Sequence, residues 1–141
     1  MIFSRSAEYA IRAMTFLASL PPGRLAGARE ISEVEKIPTP FLSKILQNLV
    51  RHRLIRSFKG LYGGYELAKP PDSIALGAII GAIDNIDRVS DCVLGMPHCS
   101  EENACPLHHT WKAMRENMVQ MLEQKTLADL AETAKARKLQ R

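Results

Sequence analysis

The chain has 141 residues, of which 46% are hydrophobic: enough for one cored domain, or a small domain with an appendage. Its three cysteines, an odd number, argue against a secreted disulfide framework and for a reducing cytoplasmic setting, and no apolar run is long enough for a membrane span. The formal charge of +4 is uneven: residues 1–75 hold eleven Lys and Arg against six acids, and residues 76–141 hold eight against nine, so the N-terminal half is the one expected to meet a polyanion.

Residues 4–20 predict a helix. Ala7, Ala10, Ile11, Met14, Leu17 and Ala18 recur at helical spacing, Ser4 or Ser6 offers a cap, and Pro21-Pro22-Gly23 ends the run. Arg5, Glu8 and Arg12 interrupt its apolar part, which makes it a poor signal peptide, and Glu8 with Arg12 reads as a solvated i,i+4 pair. Residues 28–35 predict a second helix with Ile31 and Val34 inward. After Lys36-Ile37-Pro38 a third runs to about Arg51, with Thr39 as N-cap and Pro40 at its first position. Phe41, Leu42, Ile45, Leu46 and Leu49 form its expected buried face. Two helices joined by a short turn are a helix-turn-helix in outline, and Thr39, Ser43, Lys44 and Gln47 are small or polar groups suited to base edges.

Residues 54–58 and 65–68 have strand composition around a glycine-rich tip, KGLYGG, and predict a β-hairpin. A hairpin directly after a helix-turn-helix is a wing, and Arg53, Arg56, Lys59 and Tyr62 on or beside it are suited to phosphate or minor-groove contact, with Arg51 at the end of the third helix also expected to hold the DNA backbone. Walker-type spacing is absent, so the glycines do not read as a nucleotide cradle. Residues 76–91 form a linking helix and turn, with IALGAIIGAI at 74–83 expected to be buried and Gly77 and Gly81 allowing close packing.

The cysteines all fall in residues 92–108, as Cys92, Cys99 and Cys105 at C-x6-C-x5-C spacing, with His98, His108 and His109 close by. Thiolates and imidazoles bind zinc, copper or iron–sulfur clusters. No C-x2-C pair is present, which lowers structural zinc without excluding a Cys3His site that includes His108. A thiol switch remains open, whereas nothing marks one cysteine as a nucleophile and no substrate-pocket motif is present, so enzyme activity is not expected. From residue 106 to 124, Leu107, Trp111, Met114, Met118, Met121 and Leu122 make a near-heptad stripe that suggests a dimerisation helix. Residues 125–141 carry a shorter amphipathic stretch, Leu127, Leu130, Ala131 and Ala134, and a basic end.

These pieces together resemble the Rrf-type winged-helix transcription regulators, the family that includes IscR, NsrR and CymR. The matching stretches are YAIRAM at 9–14, IPTPFLSKILQNL at 37–49, SFKG at 57–60 with GGY at 63–65, and the cysteine triplet before a long helix; the resemblance spans about residues 1–123. It implies a mainly α fold with a winged helix-turn-helix domain (1–75) and a long dimerisation helix. It implies a homodimer on a palindromic double-stranded DNA operator, with neither a small-molecule substrate nor a membrane role. It also implies an iron–sulfur cluster, 2Fe–2S or 4Fe–4S, on Cys92, Cys99 and Cys105. In IscR-like members the fourth ligand is a histidine three residues after the last cysteine, here His108; in NsrR-like members an acid on helix one of the other subunit, here Glu8. The first cysteine spacing is one residue longer than the family's common pattern, and Lys59 stands where many members have arginine. A zinc-binding interaction module is the alternative outside this family.

Overall fold

Helix α1 (Arg5–Ser19) begins where the extended backbone of Ser4 gives way to helix and the Ser4 hydroxyl accepts a hydrogen bond from the Ala7 amide at 3.0 Å. In this computed structural model the described residues are 3–84, 94, 101–102 and 104–137. Ala7, Ala10, Ala13 and Met14 are fully buried, so three alanines on one face of α1 let neighbouring helices approach closely. Helix α2 (Ala28–Glu35) ends at Lys36, which takes the left-handed conformation at φ 55° and turns the chain into α3 (Thr39–Arg51). Leu42, Ile45, Leu46 and Leu49 of α3 are buried against α1, and each apolar side chain so removed from water contributes about 1.5–3 kcal/mol.

Three expectations for this region are corrected. Pro38 is the N-cap of α3 and Thr39 is its first helical residue; the Thr39 hydroxyl lies 3.2 Å from that of Ser32 on α2, and the Ser32 hydroxyl donates to the Ile37 carbonyl at 2.6 Å. Phe41, expected inside, is 57% exposed, because it stands on the flank of the apolar arc. Val34 is exposed as well: of the short α2, Ile31 is buried in the core and Ala28 packs against it.

Strands β1 (Ile55–Phe58) and β2 (Gly64–Leu67) pair antiparallel in the register Ile55 to Leu67 and Phe58 to Gly64. Ala26, just before α2, adds a bridge to Tyr65, with backbone bonds of 2.8 and 3.1 Å. A Cβ on Gly64 would sit 2.8 Å from the Ala26 carbonyl oxygen, so glycine is required for this close approach, at φ 150°. The wing is thereby tied to the helical body at its base.

A 3₁₀ turn (Pro71–Ser73) leads to α4 (Leu76–Ile83), whose Ile79, Ile80 and Ala82 are buried. Helix α5 (His108–Gln124) crosses α4 at Gly77, where an added Cβ would lie 3.0 Å from the Leu122 carbonyl oxygen. Helix α6 (Leu127–Arg137) then returns to the N-terminal body. The Leu76 amide donates to the Lys125 carbonyl and the Leu127 amide to that of Ile74, both at 2.8 Å, and Leu127 is fully buried among residues of α1, α3 and α4. The expected stripe at 127–134 is therefore anchored in the core at its first residue. The long helix α5 behaves differently. Only His108 and Leu122 are buried, whereas Leu107, Met114 and Met121 of its stripe are exposed.

Candidate functional site

The turn between α2 and α3 is held from beneath by Arg12 of α1. Its side chain is only 13% exposed; the guanidinium donates to the Glu35 carbonyl oxygen, lies 3.5 Å from the Glu35 carboxylate, and packs over the Tyr9 ring at 5.5 Å. Glu8 reaches the same guanidinium at 3.9 Å and Arg5 at 3.8 Å. Arg12 is thus a clamp on the C-terminal end of α2, where a cation also meets the helix dipole, and more than the surface pair that its spacing suggested.

Above this clamp, all nine residues expected to meet DNA are exposed. Thr39, Ser43, Lys44, Gln47 and Arg51 line the outer face of α3, opposite its buried Leu42, Ile45, Leu46 and Leu49. Arg53 follows the helix in the left-handed region at φ 60°. Its amide donates to Val50 at 2.9 Å and the Leu54 amide to Leu49 at 3.0 Å, a Schellman ending normally given to glycine. On β1, Arg56 lies across the hairpin from Glu66, with a 3.1 Å ion pair that offsets part of its charge. Lys59 and Tyr62 lie on the connection between the strands. From Lys36 to Tyr65 the chain holds six Lys and Arg and no acid. That run covers the helix-turn-helix turn, α3 and the wing tip, so the surface presents a positive face to a polyanion. Sequence reading missed Ser32, which fixes the turn through its hydroxyl, and Leu61, which stands beside Tyr62.

Of the expected cluster ligands, Cys92 and Cys99 lie outside the described residues. Cys105 is half-buried, and its carbonyl accepts from the His108 amide at 3.0 Å, one turn into the start of α5. His108 is 3% exposed and meets His109 edge-on at 5.1 Å, while His109 faces outward. Nearby, the Lys112 ammonium at 3.1 Å holds the Glu101 carboxyl below the usual carboxylate range. A thiol and a sheltered imidazole on one turn suit a soft metal or a cluster. Among the described residues no three such donors converge on one point, and Glu8 is engaged with Arg5 and Arg12.

Residues 3–133 match the family model described as Rrf2, iron-dependent transcriptional regulator. A protein of Aquifex aeolicus that bears the name of an HTH-type transcriptional regulator is 39% identical over 133 residues, covering 92% of this chain and 91% of that one. Among solved structures, CymR, the global cysteine regulator of B. subtilis, superposes with TM-score 0.81 at 24% identity over 94% of this chain and 98% of that one. T. potens IscR does so with TM-score 0.77 at 23% identity over 100% and 94%. The two structures establish the winged-helix fold. No helix among the described residues is long and apolar enough to cross a membrane. The match to the family model over nearly the whole chain, together with a helix-turn-helix and wing that expose a basic face, places this chain in the Rrf2 family of transcriptional regulators, which are DNA-binding proteins and not enzymes.

Proposed function

We propose that the protein is a cytoplasmic homodimer that binds a palindromic operator through α3 and the wing, and that an iron–sulfur cluster sets its affinity for that operator. The observation that supports the DNA-binding part is the run from Lys36 to Tyr65, which holds six Lys and Arg and no acid and in which the reading and holding residues are all exposed. In this reading Thr39, Ser43, Lys44 and Gln47 meet base edges, because the N-terminal part of a recognition helix enters the major groove. Arg51, Arg53, Arg56, Lys59 and Tyr62 position the protein on the backbone and the minor groove. Arg56 acts from its pairing with Glu66, so it contributes less charge than Arg53 or Lys59.

The dimer part rests on α5. Its stripe leaves Met114 54% exposed, with Leu107 and Met121 exposed on the same side, and two copies of such a stripe bury each other in a seam. The cluster part rests on the placing of Cys105 and His108 at the head of that helix and on the family's description as iron-dependent. Cys92, Cys99 and Cys105 would hold the cluster, with His108 or Glu8 of the other subunit as fourth ligand. When bound, the group supplies a redox-sensitive and nitric-oxide-sensitive centre. The chain's own part is to link that centre to α5 and, through α4 and α1, to the helix-turn-helix. A tenfold change in operator affinity requires about 1.4 kcal/mol, which is small against the packing that joins these helices.

The test is purification without oxygen, followed by visible absorbance, Mössbauer spectra and salt-dependent DNA binding of wild type, Glu8→Ala and His108→Ala. Near-stoichiometric iron, altered spectra in the variant that loses the fourth ligand, and cluster-dependent DNA affinity are the expected results. Colourless protein that binds DNA regardless of iron removes the cluster part and leaves the DNA-binding part standing. Iron-free DNA binding that responds to peroxide, with the response dependent on the cysteines in Cys→Ser variants, marks a thiol switch instead.

A further inference from the structure

The wing ends in two large side chains that are almost wholly exposed. Leu61 and Tyr62 are each 90% exposed, the highest values among the described large hydrophobic residues, and Phe58 at the end of β1 is exposed beside them. They gain no stability from the core, and their position is nevertheless fixed. The Gly63 amide donates to the Gly60 carbonyl at 3.0 Å, which closes a tight turn with Leu61 and Tyr62 at its apex. Gly60 supplies the left-handed φ of 102°, while a Cβ at Gly63 would run into the backbone of Phe58 and Lys59. Below the apex, the hairpin register and the Ala26–Tyr65 bridge hold the wing on the body. The tip is an apolar point held by its turn; Lys59 adjoins it, Arg56 lies lower on β1 in its ion pair with Glu66, and Arg53 precedes the strand at the base of the wing.

We infer that Leu61 and Tyr62 are a wedge that enters the DNA minor groove and partly unstacks one base step, so that the protein bends its operator and reads deformability there. This rests on the reading of α3 and the wing as a DNA-binding surface. The chemistry follows from the surroundings. Lys59 beside the tip and Arg53 at the wing's base draw the wing to phosphates, and the minor groove is where apolar side chains, Leu among them, are inserted between stacked bases. Tyr62 can lay its ring along the groove wall and direct its hydroxyl to a base or sugar acceptor. The cost of unstacking is least at pyrimidine–purine steps, so the site under each wing is expected to be TA or CA/TG. A lipid surface also accepts an apolar tip with a basic rim, but two side chains on a short hairpin offer little of the broad apolar face with which interfacial segments bind.

The test uses the full-length protein and a duplex recovered by in vitro selection from a randomised library. 2-Aminopurine is placed in turn at each wing-proximal position, and end-to-end energy transfer reports bending. Wild type is expected to raise 2-aminopurine fluorescence at one step per half-site and to shorten the end-to-end distance. The double variant Leu61→Ser with Tyr62→Ser is expected to keep its thermal stability and its salt dependence, since no core contact or charge is removed. It should lose both fluorescence signals and bind at least about tenfold more weakly. An unbent duplex with flat fluorescence in the wild-type complex, or a double variant that bends and binds as wild type does, overturns the inference. So does tip-dependent binding to vesicles rich in anionic lipid with no tip dependence on DNA. If selection with wild type returns no salt-sensitive binder at all, the DNA-binding reading falls and this inference with it, a result distinct from intact binding without a bend.

Discussion

Asp84 accepts two hydrogen bonds from Ser4, one from its backbone amide at 2.9 Å and one from its hydroxyl at 2.5 Å. Ser4 is the N-cap of α1, four residues before Glu8, and Asp84 closes α4 eight residues before Cys92. The pair therefore ties the C-terminal end of α4 to the helix whose Arg12 clamps the helix-turn-helix. Removing the carboxylate in Asp84→Ala takes away both bonds and a favourable charge at a helix N-terminus. Stability is expected to fall by about 1–2 kcal/mol in urea titration. In the cluster-control reading, the ratio of loaded to unloaded operator affinity should also shrink; an unchanged ratio would show that the signal does not pass through this contact.

Arg53 separates stability from binding. Its left-handed backbone costs a non-glycine residue about 1 kcal/mol, and the Schellman bonds around it remain available to glycine. Arg53→Gly is expected to hold or raise stability, by up to about 1 kcal/mol less the extra freedom that glycine gains in the unfolded chain. The same variant should bind DNA more weakly, with a salt slope reduced by about one. Equal affinity in the variant would remove Arg53 from the interface.

Gly64 tests the base of the wing. Gly64→Val places a Cβ at the Ala26 carbonyl and forces a β-branched residue to φ 150°, and about 2 kcal/mol or more of destabilisation is expected. Amide exchange at Ala26 and Tyr65 should accelerate, because their mutual bonds are the ones displaced. DNA affinity should fall with it while the oligomeric state holds.

Met114→Glu tests the seam on α5. The side chain is mostly in water within one chain, so the fold of each chain should be unaffected, within about 0.5 kcal/mol. Two glutamates facing each other across a pairing of helices should separate the subunits. Light scattering is expected to give twice the chain mass for wild type and the single-chain mass for the variant.

Helix α6 should be acid-sensitive at its start. The Thr126 amide and hydroxyl donate to the Asp129 carboxylate at 2.9 and 3.2 Å, and these bonds hold its pKa below the usual aspartate value. A carboxylate with a lowered folded pKa stabilises above its unfolded value, about 3.9, and that contribution disappears as pH falls through the folded value. Asp129→Asn should flatten the pH dependence of stability in that range, as followed by circular dichroism.

Much of this was legible in the sequence because local signals agreed. The periodicity of α1 and α3, the breaks at Pro21 and Pro38, and the glycines of the hairpin all pointed to elements that are present. Phe41 and Val34 were misplaced because a one-dimensional pattern marks an apolar arc without giving its edges, and both stand at an edge. The Ala26–Tyr65 bridge had no local signature, since it depends on where two distant segments meet. Arg12 looked like a surface partner for Glu8 because spacing alone cannot show that Glu35 waits on another helix. The chemistry of Cys105 and His108 was visible as composition, and the structure adds that His108 is sheltered at the head of α5. Leu61 was passed over because an isolated leucine in a turn carries no message until its exposure is known.

The most direct test of the central account is operator binding by one anaerobic preparation, measured by fluorescence anisotropy with the cluster intact and again after its removal by a chelator, at several salt concentrations. The account predicts salt-sensitive, sequence-specific binding in which removal of iron shifts the dissociation constant by about tenfold or more. The same dissociation constant at every iron content would contradict it.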